Sequence, residues 1–181
     1  MGKENATRSQ ATTRVIRHAR VADLERINEI YNHYVRTTPK TFDLAPMSTE
    51  RRRAWFDWYT TRGPQQVVVV EEDDVVVAYA DSHSFRERAA YNTTVEVTVY
   101  CAGEATGRGL GTLLYKALFE ALAEEDVRMA MAGITLPNPA SVALHEHFGF
   151  TLVGVMHDVG RKFDRYWDVA WYEKRIGPQV D

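Results

Sequence analysis

The sequence predicts an α/β (α+β) domain, a mixed sheet with helices on its faces, in the order β-α-α-β-β-β-α-β-α-β-β. Three observations carry this expectation. Period-two runs rich in β-branched residues alternate with segments whose apolar residues recur every three or four positions. Strand-like and helix-like segments interleave along the chain, as they do when helices pack on a sheet. A chain of 181 residues is long enough for one substantial core and short for two. We therefore expect a single domain over residues 14–181, preceded by a disordered tail over residues 1–13.

RVIRHA, Arg14 to Ala19, alternates as a short strand. DLERINEIYNHYV follows as a helix, with Leu24, Ile27, Ile30, Tyr31 and Tyr34 on one buried face. After the loop TTPKTFDLAP, Ser48 is placed to cap a second helix that has Glu50 in its first turn and carries Trp55, Phe56 and Trp58. QVVVVEEDDVVVAYADS reads as a hairpin around a charged turn, Glu71 to Asp74, most simply exposed to solvent. TTVEVTVYC puts Thr94, Glu96, Thr98 and Tyr100 on one strand face and Val95, Val97, Val99 and Cys101 on the other. LLYKALFEALAEEDV is an amphipathic helix, RMAMAGITL a buried strand and PNPASVALHEHFGF a short helix ending at Gly149. TLVGVMHDVG and YWDVAWYEKR close the order as two strands.

Composition narrows the function. Lys and Arg total 22 against 25 Asp and Glu, a formal charge of −3, so no basic surplus points to nucleic acid or an anionic membrane. A small molecule is the expected partner. Cys101 is the only cysteine, which excludes an intramolecular disulfide and fits a reducing compartment. The first residues lack the apolar run of a signal peptide and no later stretch has the length of a membrane span, so a cytoplasmic protein is expected. His18, His33, His83 and His157 lack ligand spacing, and His145 and His147 point to opposite sides of their helix, so no metal is expected.

The stretch TGRGLGTLLY packs Gly107, Gly109 and Gly111 in front of a helix. Such glycines allow backbone N–H groups to converge on an anion beside the positive end of the helix dipole, although glycine turns before helices also occur without a ligand. No lysine stands between Gly111 and Thr112, so the loop is not a Walker loop. It spells G-x-G-x-G, and the next strand ends in ITLPN, which disfavours a dinucleotide cofactor.

TVEVTVYC, TGRGLGTLLY and TLPNPASVALHEHFGF, in this order, resemble the GNAT superfamily of acyl-CoA-dependent N-acyltransferases. Within it the chain looks like the phosphinothricin and methionine sulfone (sulfoximine) N-acetyltransferases, from about Val15 to Ile176, including IYNHYV, the Phe42 of PKTF, FRERAAY and WDVAWYE. The resemblance implies the GNAT fold, a mostly antiparallel sheet of about seven strands with about four helices, together with acetyl-CoA as co-substrate and a homodimer.

The superfamily loop pattern Q/R-x-x-G-x-G/A falls on Thr106, Gly107, Arg108, Gly109, Leu110 and Gly111, with Thr106 departing from it. The resemblance implies that this loop and Thr112 hold the pyrophosphate, that Arg108 adds a charged bond, that the backbone of Val99, Tyr100 and Cys101 pairs with the pantetheine arm, and that Asn138 contacts it further along. A strand N–H between Val97 and Tyr100 is the candidate oxyanion donor. An ammonium acceptor must lose a proton before its nitrogen attacks, and Glu96 matches the family's catalytic glutamate. His145 matches its second catalytic residue, as relay or as acid for the leaving thiolate. Arg86, Arg88 and Tyr91 match substrate-binding positions, and Phe42 and Tyr115 match aromatic pocket residues, although Phe42 serves equally as a core anchor and Tyr115 as an ordinary buried helix residue. Trp167 and Trp171 read first as core or dimer contacts. The implied activity is acetylation of an amino acid's α-amino group by direct attack. The alternatives are acetylation of a protein N-terminus, a lysine or a polyamine, and a non-catalytic acyl-CoA sensor.

Overall fold

A computed structural model describes residues 12–177; the expected tail lies outside the described residues over 1–11, and Thr13 is tied to the Asp73 side chain through its amide. Seven strands form one sheet: β1 (Arg14–His18), β2 (Gln66–Glu72), β3 (Val75–Ser84), β4 (Thr94–Cys101), β5 (Met129–Thr135), β6 (Thr151–Lys162) and β7 (Arg165–Arg175). Their order is β1-β2-β3-β4-β5-β7-β6, antiparallel except for β4 and β5. Four helices complete the expected order: α1 (Leu24–Thr37), α2 (Thr49–Phe56), α3 (Leu110–Leu122) and α4 (Pro139–His147).

The parallel contact sets up the site. β4 and β5 are in register only at Thr94–Met129, Val95–Ala130 and Glu96–Met131, after which the two strands separate. The β5 side of β4 from Val97 to Cys101 is therefore left without a ladder, while β3 pairs with the other side of β4. An unpaired strand edge offers N–H and C=O groups to an extended guest.

The core lies under α3. Leu110, Leu114, Leu118 and Leu122 recur every four residues and are all buried against Val69, Val70, Ala78, Tyr79, Val95 and Val97 of β2, β3 and β4. At about 25 cal/mol per Å², full burial of such a leucine contributes roughly 1.5–3 kcal/mol. On α1, Ile27 and Ile30 are buried as their spacing predicts. The α2 cap forms as expected, with Ser48 Oγ accepting from the Arg51 amide at 3.3 Å.

Two expectations change. Trp58 does not lie on α2: the helix ends at Phe56 and its last turn tightens, with the Tyr59 amide donating to the Phe56 carbonyl at 3.0 Å. This swings Tyr59 over the sheet, where its hydroxyl donates to Asp81, and leaves Trp58 79% exposed. The acidic run is also not simply an exposed turn. Only Asp73 and Asp74 form the turn, with φ of 47° and 65°, the left-handed pair that matches strand twist in a two-residue hairpin. Glu71 and Glu72 remain in β2, where Glu71 pairs with Arg17 and the buried Glu72 holds Arg14 and Arg108.

Candidate active site

β4 is the wall shared by two cavities, and Thr98 and Tyr100 line both. On one side lies a cleft of about 250 Å³ between the separating ends of β4 and β5, bordered by the glycine loop and α4. On the other lies a cavity of about 750 Å³ under α2, walled by the aromatic rings of Tyr31, Trp55, Tyr59, Tyr79 and Tyr100.

The smaller cleft gathers most of the residues expected to hold the cofactor. Val99, Tyr100 and Cys101 of β4, Thr106, Gly107, Gly111 and Asn138 all line it. Gly107 and Gly109 have φ of +74° and +75°, and a Cβ built on either would meet nothing within 4 Å, so the backbone opens on free space. Gly109 caps α3 without a side-chain hydrogen bond, leaving amides of the first turn, which begins at Leu110 and runs through Gly111 and Thr112, available to an anion. Gly111 has a different reason to be glycine: its Cβ would lie 3.0 Å from Leu144 Cδ2, so a side chain there presses α3 away from α4. This donor set and the unpaired edge of β4 fit an extended molecule with a polyphosphate end. Thr106 Oγ1 donates to the Gly103 carbonyl at 3.0 Å. Arg108 is held by Glu72, its Nη2 lying 2.7 Å from Oε2, and so is already engaged by a partner inside the protein. Burial pushes the Cys101 thiol upward against the weaker pull of Lys40, which keeps it protonated and a poor nucleophile.

His145 and Tyr115 also stand in this cleft. His145 Nδ1 lies 2.7 Å from the Ser141 carbonyl, which can only accept, so Nδ1 carries a proton. Nε2 then accepts from the Tyr115 hydroxyl at 2.9 Å. Burial lowers the His145 pKa, against the smaller effect of the Ser141 bond, and burial raises that of Tyr115, so both groups are neutral. Tyr115, expected as an aromatic wall of the substrate pocket, belongs to the opposite side of β4.

The larger cavity meets the polar face of β4. Antiparallel register sets Asp81 opposite Thr98 and His83 opposite Glu96. Asp81 accepts from Thr98 Oγ1 at 2.6 Å and from Tyr59 at 3.0 Å, and its Oδ1 lies 2.9 Å from His83 Nδ1. Burial works against a charged His83, but the hydrogen bond and charge of Asp81 outweigh it and raise the pKa. His83 Nε2 is 3.9 Å from Glu96 Oε2. Burial lifts the Glu96 carboxyl above its ordinary 4.5, against the pull of His83 and Arg86. A carboxylate of raised pKa accepts a proton more readily near neutrality.

Of the expected substrate residues, Arg86 lines this cavity, while Arg88 and Tyr91 do not. Arg88 caps a single 3-10 turn, Ala89–Tyr91, that carries the chain away, and Tyr91 is 42% exposed with its ring edge-on to Phe85. Phe42 packs over β6, filling the place of any Cβ at Gly160. Sequence reasoning missed Arg52, Tyr59, Asp81 and His83. The alternation of YADSH, which puts polar Asp81 and His83 in step with Tyr79 on an otherwise apolar strand, was the available signal for two of them. Among the described residues, no cluster of three or more His, Cys, Asp or Glu is arranged to hold a metal ion.

Comparison with known proteins places the chain in a family. Residues 16–171 match the family model of the acetyltransferase (GNAT) domain. A phosphinothricin N-acetyltransferase of Streptomyces coelicolor is 51% identical over 156 residues, covering 85% of this chain and 91% of that protein. An L-methionine sulfoximine/L-methionine sulfone acetyltransferase of Pseudomonas aeruginosa is 34% identical over 163 residues, covering 90% and 95%. The crystal structure of a GNAT superfamily phosphinothricin acetyltransferase from Sinorhizobium meliloti in complex with acetyl-CoA superimposes with a TM-score of 0.84 at 33% identity, covering 91% of this chain and 89% of that one. With a sheet that opens between β4 and β5, a glycine-framed helix start at its mouth and this match along the chain, the protein belongs to the GNAT family and is an N-acetyltransferase that uses acetyl-CoA.

Proposed function

We propose that the protein acetylates the α-amino group of an amino acid or a close analogue of the phosphinothricin, methionine sulfone or methionine sulfoximine type. The observation that carries this reading is the placement of Glu96 beside the larger cavity: it stands behind the lining, 3.9 Å from His83 in the cavity wall, and Arg86, a cation able to hold an acid group, lines the same cavity. The names of the Streptomyces and Pseudomonas relatives support the same acceptor class.

In this reading acetyl-CoA supplies the acetyl thioester from the smaller cleft. Glu96 takes one proton from the acceptor's ammonium, the freed nitrogen forms its bond to the acetyl carbon as the carbon–sulfur bond breaks, and the second proton lost by that nitrogen ends on the departing thiolate, so that the amide and the CoA thiol leave. Asp81 orients His83, which faces Glu96 and offsets its charge before the proton arrives. His145 acts through the Tyr115 hydroxyl on the leaving-group side of β4 and does not touch the acceptor. Gly107, Gly109 and the first turn of α3 hold the pyrophosphate, and the β4 edge from Val99 to Cys101 holds the pantetheine arm.

Thiol release from acetyl-CoA with L-phosphinothricin, L-methionine sulfone and L-methionine sulfoximine tests the proposal. Turnover with at least one is expected; none with these or with the natural amino acids would refute it. We also infer a cytoplasmic homodimer. Leu152, Val153, Val155 and Met156 are exposed on the edge strand β6, an apolar stretch suited to a second copy, and light scattering reads the mass directly.

A further inference from the structure

We propose that Lys40 is a cofactor-binding residue, the cation that meets the pyrophosphate of acetyl-CoA where the pantetheine arm leaves β4. The assignment rests on the cofactor placement proposed above.

Local structure brings Lys40 to this point. At the end of α1 the Thr38 amide and Thr38 Oγ1 both donate to the Tyr34 carbonyl at 3.0 Å, and Thr38 Oγ1 accepts from the Lys40 amide at 3.2 Å. One hydroxyl thus ends the helix and turns the residues that follow it. Lys40 is carried over Tyr34, with Nζ 5.7 Å from the ring centre. Tyr34 is in turn fixed to β4, because its hydroxyl donates to the Cys101 carbonyl at 2.8 Å. Through this ring the ammonium is brought to the end of β4, close enough for its charge to act on the Cys101 thiol.

The charge in the smaller cleft is one-sided. Lys40 lines it together with Cys101, Thr106 and Gly107, and it is the only lysine or arginine among the described residues there. No aspartate or glutamate among those residues lines the cleft, and Lys40 forms no ion pair with any described residue. Arg108, which stands between the glycines, is held by Glu72. An uncompensated ammonium beside open backbone amides favours an anion at that point.

The lie of the cofactor selects which anionic group Lys40 meets. The arm runs along β4 from Val99 to Cys101, and the glycines and the first turn of α3 take the pyrophosphate. Cys101 is the β4 residue nearest to Gly107 along the chain, so the arm gives way to the pyrophosphate beside Lys40. The 3′-phosphate lies one nucleoside further out. The loop amides offer hydrogen bonds and partial charge to this dianion, and Lys40 adds the full charge that Arg108, engaged by Glu72, does not.

Binding rather than turnover tests the assignment. Dissociation constants of CoA, 3′-dephospho-CoA and pantetheine are compared by calorimetry in the full-length wild type, Lys40→Met and Lys40→Arg. Met keeps an unbranched side chain over Tyr34 and removes the charge. Lys40→Met is expected to weaken CoA and 3′-dephospho-CoA alike by about 3- to 10-fold, between the value of an exposed ion pair and that of a hydrogen bond between charged groups, and to leave pantetheine within about twofold. Lys40→Arg is expected to restore most of the loss, and the gap between wild type and Lys40→Met to narrow as salt rises from about 0.05 to 0.5 M. Loss confined to CoA would move the contact to the 3′-phosphate and overturn the assignment; equal loss for pantetheine would trace the effect to the shape of the loop and overturn it as well. Unchanged affinities in Lys40→Met, with a wild type that prefers 3′-dephospho-CoA to pantetheine, would overturn it while leaving the pyrophosphate placement standing. A wild type that binds those two equally would refute the placement itself.

Discussion

Replacing Glu96 by Gln keeps the shape of the side chain on β4 and removes its ability to take a proton. General bases contribute about 10²–10⁴ in rate, or roughly 2.7–5.4 kcal/mol at 1.36 kcal/mol per decade. The exposure of the Glu96 side chain places the loss in the lower half of that range. The Glu96 side chain is 24% exposed, so water reaches it and replaces part of its work, while burial of the rest raises its pKa and makes it a stronger base than a surface glutamate. A loss of about 10²–10³ in kcat is expected, with the acetyl-CoA dissociation constant changed by less than about threefold, since Glu96 does not line the smaller cleft. The sign of the pH effect follows from the carboxylate being the active form. Wild-type kcat/KM rises as pH increases through a pKa above 4.5, and that limb is absent in Glu96→Gln. Stopped-flow or continuous thiol assays from pH 5 to 9, with the dissociation constant from calorimetry, provide both readouts. A folded Glu96→Gln enzyme retaining more than about a tenth of wild-type kcat, with the acid limb intact, would refute the assignment of Glu96 as base.

Other substitutions separate architecture from chemistry. Tyr115→Phe strips the donor from the buried Nε2 of His145 and is expected to cost about 1–3 kcal/mol, seen as a melting shift of about 2–4 °C per kcal/mol; an unchanged melting temperature contradicts the hydrogen bond. Gly109→Ala meets no atom but forces a side chain to φ +75°, so about 1–2 kcal/mol of stability is lost in urea titrations without any packing defect. Asp81→Asn removes the charge that raises the His83 pKa, so the histidine titrates at lower pH, as NMR of the ring protons will read, and no downward movement would show that Asp81 does not set it. Thr106→Ala loses only a bond to the Gly103 carbonyl, so acetyl-CoA affinity changes by less than about twofold. A tenfold loss by calorimetry would show that the hydroxyl holds the cofactor.

The order of strands and helices was legible because each element is written in local periodicity: the repeats of α1 and α3, the alternation of β4 and the Ser48 cap are properties of neighbouring residues. The same local logic marked Gly107 and Gly109, whose positive φ is a requirement that a sequence displays directly. The larger cavity was less visible. Arg88 and Tyr91 fell outside it because one turn of 3-10 helix redirects the chain, and Tyr115 faced the other side of β4 because helix phase against the sheet is fixed by α3 packing as a whole.

By itself, then, the sequence determined the elements and the glycine-framed turn before α3, since each depends on residues close together in the chain, while Glu96 entered as the candidate base through the family resemblance. The tertiary structure alone decided on which side of β4 each group lies and which carboxylates are paired. Those outcomes depend on β3–β4 register and on the packing of α2, contacts between residues up to tens of positions apart, and no local pattern encodes their sum.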